Sequence, residues 1–134
     1  MISLQHIKEE DLEWARNLRN ENRVYFFNPS KISKQSHLKW FKEYDWKSKE
    51  FFVIFDGLQR VGTISVENKP DITMINNVIV DKPYRGRGIF PIVIGLLRLR
   101  YPTKFRLEVS ANNNFAIYSY LRAGWTATKV TFEF

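Results

Sequence analysis

A chain of 134 residues, 44% hydrophobic and 16% aromatic, has the length and apolar content for one domain with a buried core and is too short for two. That composition excludes a disordered chain, and the longest uncharged apolar stretch, Ile89 to Leu97, is too short to span a membrane. A net charge of +7 favours anionic partners such as nucleotides, coenzyme phosphates or nucleic acid, while the absence of cysteine excludes disulfides, thiolate nucleophiles and cysteine metal sites.

His6 and His37 lie far apart, and neither has a second ligand at helical spacing, so no metal is expected. The stretch Met1 to His6 lacks the basic start and apolar core of a signal peptide, and a cytoplasmic protein is the expectation. Ile2 and Leu4 alternate as in a half-buried first strand. Glu9-Glu10-Asp11 then places acid where a helix begins, and Leu12, Ala15 and Leu18 form its apolar stripe. From Arg19 to Lys31 no period is sustained, and Asn20, Asn22, Asn28 and Pro29 mark a connector. Its Val24, Tyr25, Phe26 and Phe27 are assigned to packing rather than to a pocket wall, because most loop aromatics close a core.

Ser33 can cap a second helix, on which His37, Trp40, Phe41 and Tyr44 share one face. On such a face His37 reads as a core residue rather than a catalyst. Phe51 to Phe55 and Val61 to Val66 are strands of a hairpin turning at Asp56-Gly57. Asn68 to Asp71 makes a second turn, and Ile72 to Val80 is the next strand. Asn76 and Asn77 interrupt it, either as a bulge whose amides satisfy freed backbone groups or as contacts to an amide-containing ligand.

The stretch that follows organises the chain. Val78-Ile79-Val80 ends a strand, Pro83 keeps Lys82 out of helical geometry, and Arg85-Gly86-Arg87-Gly88 precedes a second apolar run. Pro91 is tolerated only in a first helical turn, which fixes the helix start near Arg87 or Gly88. Unpaired N–H groups at such a start attract anions, with Arg85 and Arg87 adding to the field, so the turn reads as a pyrophosphate site. Its alternative is a tight connection with solvated charges. No Lys-Ser/Thr pair follows the glycines, which excludes a Walker loop. A dinucleotide fingerprint wants a third glycine where Pro91 stands, although Glu108 lies about where its ribose-binding acid would.

Tyr101-Pro102-Thr103 ends the helix, and Phe105, Leu107 and Val109 alternate along a further strand. Asn112 or Asn113 caps the last helix, which closes at Gly124, and Trp125 to Phe134 is expected as a final strand. The sum is one α/β domain over residues 1–134, with a mixed, mostly antiparallel sheet flanked by helices.

Arg85-x-x-Gly88 and Asn113-x-x-Ala116-x-x-x-Tyr120-x-x-x-Gly124-Trp125, in that order and separated by one strand, resemble the two signatures of the GNAT N-acetyltransferase superfamily. The resemblance implies that Ile79, Val80, Arg85, Gly86, Arg87, Gly88, Asn113 and Ala116 hold acetyl-CoA and that Tyr120 is the general acid. It also implies direct attack on acetyl-CoA by a primary amine, of a small molecule or a protein, with neither metal nor membrane involved. On one helix face Asn113, Ala116 and Tyr120 align, and small Ala116 leaves room for a slender chain such as pantetheine. Phe90 departs from the pattern, which prefers Gly or Ala there; its ring either fills the core or obstructs the phosphates.

Leu18-Arg19-Asn20 and Ser36 to Phe41 resemble members that acetylate nucleotide-linked aminosugars or protein amines. The strand Ile72 to Val80 has no carboxylate or histidine, leaving Glu67, Glu108 and His37 as candidate bases. Two other classes stand beside this reading: a non-catalytic CoA-binding module, and a nucleic-acid binder, against which the lack of a groove-reading motif counts.

Overall fold

The computed structural model describes residues 1–134, and its elements follow the sequence order closely. Strand β1 (Ile2–His6) leads through a 3-10 turn to helices α1 (Leu12–Glu21) and α2 (Lys34–Glu43), then to strands β2 (Lys49–Asp56), β3 (Gln59–Asn68) and β4 (Ile72–Val80). Helix α3 (Ile89–Arg100), strand β5 (Lys104–Leu107) and helix α4 (Asn114–Arg122) complete them. The five strands lie side by side in chain order, antiparallel except for the parallel β4–β5 pair. No helix is long and apolar enough to cross a membrane.

Alternation along the strands divides their side chains between two cores. Phe52, Ile54, Ile64, Val66 and Ile75 meet Val93 and Leu97 of α3 on one face. Phe51 and Val53 meet Leu12 and Ala15 of α1 on the other, under the aromatic face of α2. Leu12, Ala15 and Leu18 are all buried, as the apolar stripe requires. Asp11 begins α1 as a buried carboxylate that accepts from Lys8 N at 2.8 Å and from Arg60 Nε at 2.9 Å, tying the helix start to β3. Such a pair is costly to break because the survivor is a buried, uncompensated charge.

Capping is as the residue types dictate. Ser33 Oγ accepts from Ser36 N, Asn113 Oδ1 accepts from Ala116 N, and Gly124 takes φ 91° after α4, where a side chain would be strained. Gly62 answers to a different constraint: a Cβ on it would stand 2.3 Å from the carbonyl oxygen of Ile79, so only glycine lets β3 and β4 approach.

Three expectations fail. Lys82 is not kept out of helical geometry: Lys82–Tyr84 form a 3-10 turn capped by Asp81, with Pro83 in a first turn that has no N–H partner to lose. Trp125 to Phe134 forms no strand; beyond half-buried Trp125, Val130, Phe132 and Phe134 are exposed. Their alternation is a strand pattern, but a strand exists only where an edge pairs with it, and no pairing forms there. Nor does the connector pack into a core: Val24, Tyr25 (42%) and Phe27 (71%) are exposed and only Phe26 is half-buried, under Arg19, so Tyr25, Phe26 and Phe27 form a cleft wall instead. Asn20 explains why, since its amide donates to Ile32 O at 3.0 Å and accepts from Ile32 N at 2.8 Å. The loop is thereby pinned at its far end and held out beside the sheet.

Candidate active site in a split sheet

Pairing between β4 and β5 stops at Ile75 opposite Leu107, although β4 continues to Val80. The cause lies in β4. Thr63 faces Ile79 and Ser65 faces Asn76, so Asn77 and Val78 together oppose Ile64, and Asn77 takes φ 53°. This is a bulge, which bends the strand and raises its local twist. Thr63 Oγ1 donates to Asn77 O at 3.0 Å, and Asn77 Nδ2 donates to Ser65 Oγ at 2.8 Å, so the freed polar groups are satisfied. The bulge reading of Asn77 holds, and both asparagines also line the cleft that opens beyond it.

That cleft, of about 540 Å³, passes between the parted ends of β4 and β5. On one side it reaches α4. Asn113, Ala116 and Tyr120 all line it, as their common helix face requires, with Asn113 also serving as the cap. Ile79, Val80 and Arg85 line it too.

The glycine turn adjoins this end. Asp81 starts it by accepting from Lys82 N at 2.9 Å, and Gly86 and Gly88 adopt φ 77° and 73°. The five N–H groups from Gly86 to Phe90 have no acceptor in the protein, and Pro91 has none to offer. No atom lies within 4 Å of where a Cβ would stand on either glycine, so the turn is open to a ligand. Arg85 serves it indirectly. Its Nε donates to Val80 O and its Nη2 to Asn22 Oδ1, both at 2.8 Å, so the side chain clamps the turn to the end of β4 and to α1. Arg87 is exposed, its guanidinium 5.5 Å from the Tyr84 ring.

Tyr120 packs its ring 5.1 Å from Phe90 and 6.1 Å from Trp125. Its hydroxyl has no hydrogen-bond partner in the protein, and burial pushes its pKa up to about 12. Phe90 is half-buried: it packs against the core that α3 covers and also forms part of the cleft wall.

The other end of the cleft lies against α1 and α2. Arg19, Tyr25, Phe26, Trp40, Tyr44 and Lys49 line it, with Glu67 and Glu108 as its carboxylates. Burial raises the Tyr44 pKa to about 12, assisted by Glu67 and Asp45. His37 is not part of the cleft. It is buried, stacked 5.2 Å from Trp40, and held below its usual pKa by burial and by Arg16. The sequence marks Arg19 only within the Leu18-Arg19-Asn20 resemblance and Tyr44 only as part of an aromatic helix face. Neither is assigned to the site from sequence, because α1, the connector after it, α2, β2 and β3 come together here only in the fold.

The Acetyltransferase (GNAT) family matches residues 15–125 of the chain. A search of curated proteins finds no match in sequence. Among solved structures, a transcriptional regulator from Bacillus halodurans C-125 superposes with a TM-score of 0.80 at 19% identity, covering 100% of this chain and 99% of that one. An aminoglycoside antibiotic 6'-N-acetyltransferase from Acinetobacter baumannii gives 0.75 at 12% identity, covering 100% and 97%. A predicted acetyltransferase with acetyl-CoA from Clostridium acetobutylicum gives 0.69 at 15%, covering 100% and 96%. At these identities the likeness is one of fold.

Proposed function

The chain belongs to the GNAT acetyltransferase family, and from that premise we propose that it transfers an acetyl group from acetyl-CoA to a primary amine. The observation that carries this reading is the alignment of five unpaired N–H groups at the glycine turn with a cleft through the split sheet. Gly86 to Phe90 offer a pyrophosphate the donors that a helix start provides, with open space at Gly86 and Gly88. Beyond them, the unpaired edge of β4 from the bulge to Val80 offers backbone groups to an extended, amide-containing chain, in the manner of an added strand. Ala116 on the facing helix leaves width for that chain.

Acetyl-CoA, when bound, supplies an activated thioester carbonyl. This chain has no cysteine to accept the acetyl group, so the amine nitrogen attacks directly and the carbon–sulfur bond breaks with its electron pair going to sulfur. Tyr120 is the proton or hydrogen-bond donor to that sulfur, because its hydroxyl is uncommitted and stays protonated at neutral pH. The attacking amine must first lose a proton, which for a lysine-like group costs roughly 4 to 5 kcal/mol at pH 7. Glu67 and Glu108 are the carboxylates of the cleft available to receive it, directly or through water.

The test is to incubate the protein with acetyl-CoA and a panel of amines, and to follow free CoA with a thiol reagent. Amine-dependent release is expected, and the protein contributes no thiol background. Binding of acetyl-CoA without turnover on any amine would favour a non-catalytic CoA module, for which Phe90 on the cleft wall is the motivating observation.

A further inference from the structure

The acceptor end of the cleft holds a cation that the protein itself does not neutralise. Arg19 projects from α1 with its guanidinium carbon 3.3 Å from the centre of the Phe26 ring, and its Nη2 donates to Asn28 O at 3.3 Å. Its Nη1 is buried and has no partner, and no carboxylate lies within 4 Å of the group. Burial lowers its pKa to about 10, the mark of a charge removed from water without compensation. Of the other charges that line the cleft, none forms an ion pair with Arg19. Lys49 stands opposite Glu67 in the β2–β3 register, and Arg85 is occupied at the turn. Glu108 lies beyond β5.

We propose that the acceptor amine is carried on a molecule that also bears a phosphate or carboxylate, and that Arg19 binds that anion. This rests on the acetyl-transfer reading of the same cleft. The planar fork of Arg19, one face covered by Phe26, lines the cleft with one nitrogen unpartnered, and arginine meets a phosphate or carboxylate with charge-assisted hydrogen bonds. Exposed Tyr25 and Phe27 stand at the same mouth and offer ring faces to a sugar or a base. A polycationic acceptor would meet an unpaired positive charge there. The A. baumannii neighbour is an aminoglycoside acetyltransferase, and this cleft is built for the opposite charge.

The experiment compares acceptors on the full chain with acetyl-CoA. Glucosamine 6-phosphate, a uridine-diphosphate-linked aminosugar and glucosaminic acid carry the anion as phosphate, pyrophosphate or carboxylate; glucosamine and kanamycin do not. At least one anionic acceptor is expected to exceed both others by tenfold or more in kcat/KM, and the preferred one identifies the source. Arg19→Gln should reduce that selectivity ratio by 10- to 100-fold, mainly through KM, with Arg19→Lys restoring part of it. Equal or better turnover of glucosamine or kanamycin would overturn the proposal, as would an Arg19→Gln effect that lowers every acceptor by one factor, the signature of a residue that only holds its loop. If no acceptor turns over, calorimetric binding of the uridine-diphosphate aminosugar with CoA saturating the turn decides. A tenfold loss in Arg19→Gln supports the site and unchanged affinity refutes it. Failure of acetyl-CoA to raise the melting temperature of the unmodified chain would instead count against acetyl transfer.

Discussion

Replacing Tyr120 by phenylalanine removes one oxygen from a ring that otherwise keeps its contacts with Phe90 and Trp125. The hydroxyl has no partner in the protein, so the change should move folding stability by less than about 0.5 kcal/mol. Its effect on turnover follows from its acidity. With a phenol at about 12 and a departing thiol near 8.5, complete proton transfer is uphill by about 5 kcal/mol, so the hydroxyl acts chiefly as a hydrogen-bond donor to the developing thiolate. A hydrogen bond to a charged group contributes about 1.5 to 3 kcal/mol, which predicts a fall in kcat of about 10- to 100-fold with acetyl-CoA affinity unchanged. The assay is CoA release on the best amine, read with a thiol reagent. Full turnover in the folded variant would refute the role and leave Tyr120 as packing. The same shift has a stability consequence. A folded-state pKa above the unfolded value near 10 contributes stability that is present below pH 10 and lost as pH rises toward 12. The full loss for Tyr120 is about 3 kcal/mol above pH 12, of which about 2 kcal/mol is reached by pH 11.5, and Tyr120→Phe should resist alkaline unfolding by about 2 kcal/mol in urea denaturation compared between pH 9 and 11.5.

Gly88→Glu places a strained side chain and a negative charge at the unpaired N–H groups; acetyl-CoA should no longer raise the melting temperature, and an undiminished shift in the folded variant would remove the turn from the cofactor site. Gly62→Ala drives a methyl into Ile79 O and should cost about 3 kcal/mol in chemical denaturation while weakening acetyl-CoA binding, since Ile79 also lines the cleft; a neutral effect would contradict the close approach of β3 and β4. Phe90→Ala should cost only about 2 kcal/mol, because the ring is half-buried, and should lower the Tyr120 pKa toward 10 in an ultraviolet titration; unchanged stability with tighter acetyl-CoA binding would assign Phe90 to obstruction instead.

Local signals made much of this fold legible. Ser33, Asn113 and Gly124 act where they stand, through hydrogen bonds to residues three positions away or through a backbone angle, so one sequence reveals them. The glycine turn was legible for the same reason: Pro91 fixes the helix start, and the helix start leaves the N–H groups free. What depends on a distant partner was not. Val130, Phe132 and Phe134 carry a strand's alternation without an edge to pair with. Tyr25 and Phe27 look like core until Asn20 is seen holding Ile32, 12 positions away. Arg85 reads as a phosphate ligand, yet it clamps Asn22 across 63 positions. Gly62 was readable in principle, since a glycine inside a buried strand signals close backbone approach.

The chemistry of the cleft therefore depends on a few residues whose roles are geometric. Asn77 adds one residue to β4 opposite Ile64, and that excess turns the strand away from β5 just past Leu107. Had β4 and β5 stayed paired to Val80, the edge that can accept an extended chain would be consumed, and Tyr120 and Glu67 would face opposite sides of a closed sheet. Ser65 and Thr63 make the excess residue tolerable by bonding its amide and carbonyl, which is why small hydroxyl side chains stand there amid the apolar residues of β3. Arg85 completes the arrangement from the other end by donating to the Val80 carbonyl, at a point where β4 has no β5 neighbour. A bulge, two hydroxyls and one arginine thus convert a continuous sheet into a passage with an anion-binding turn at one end and an aromatic, cationic pocket at the other.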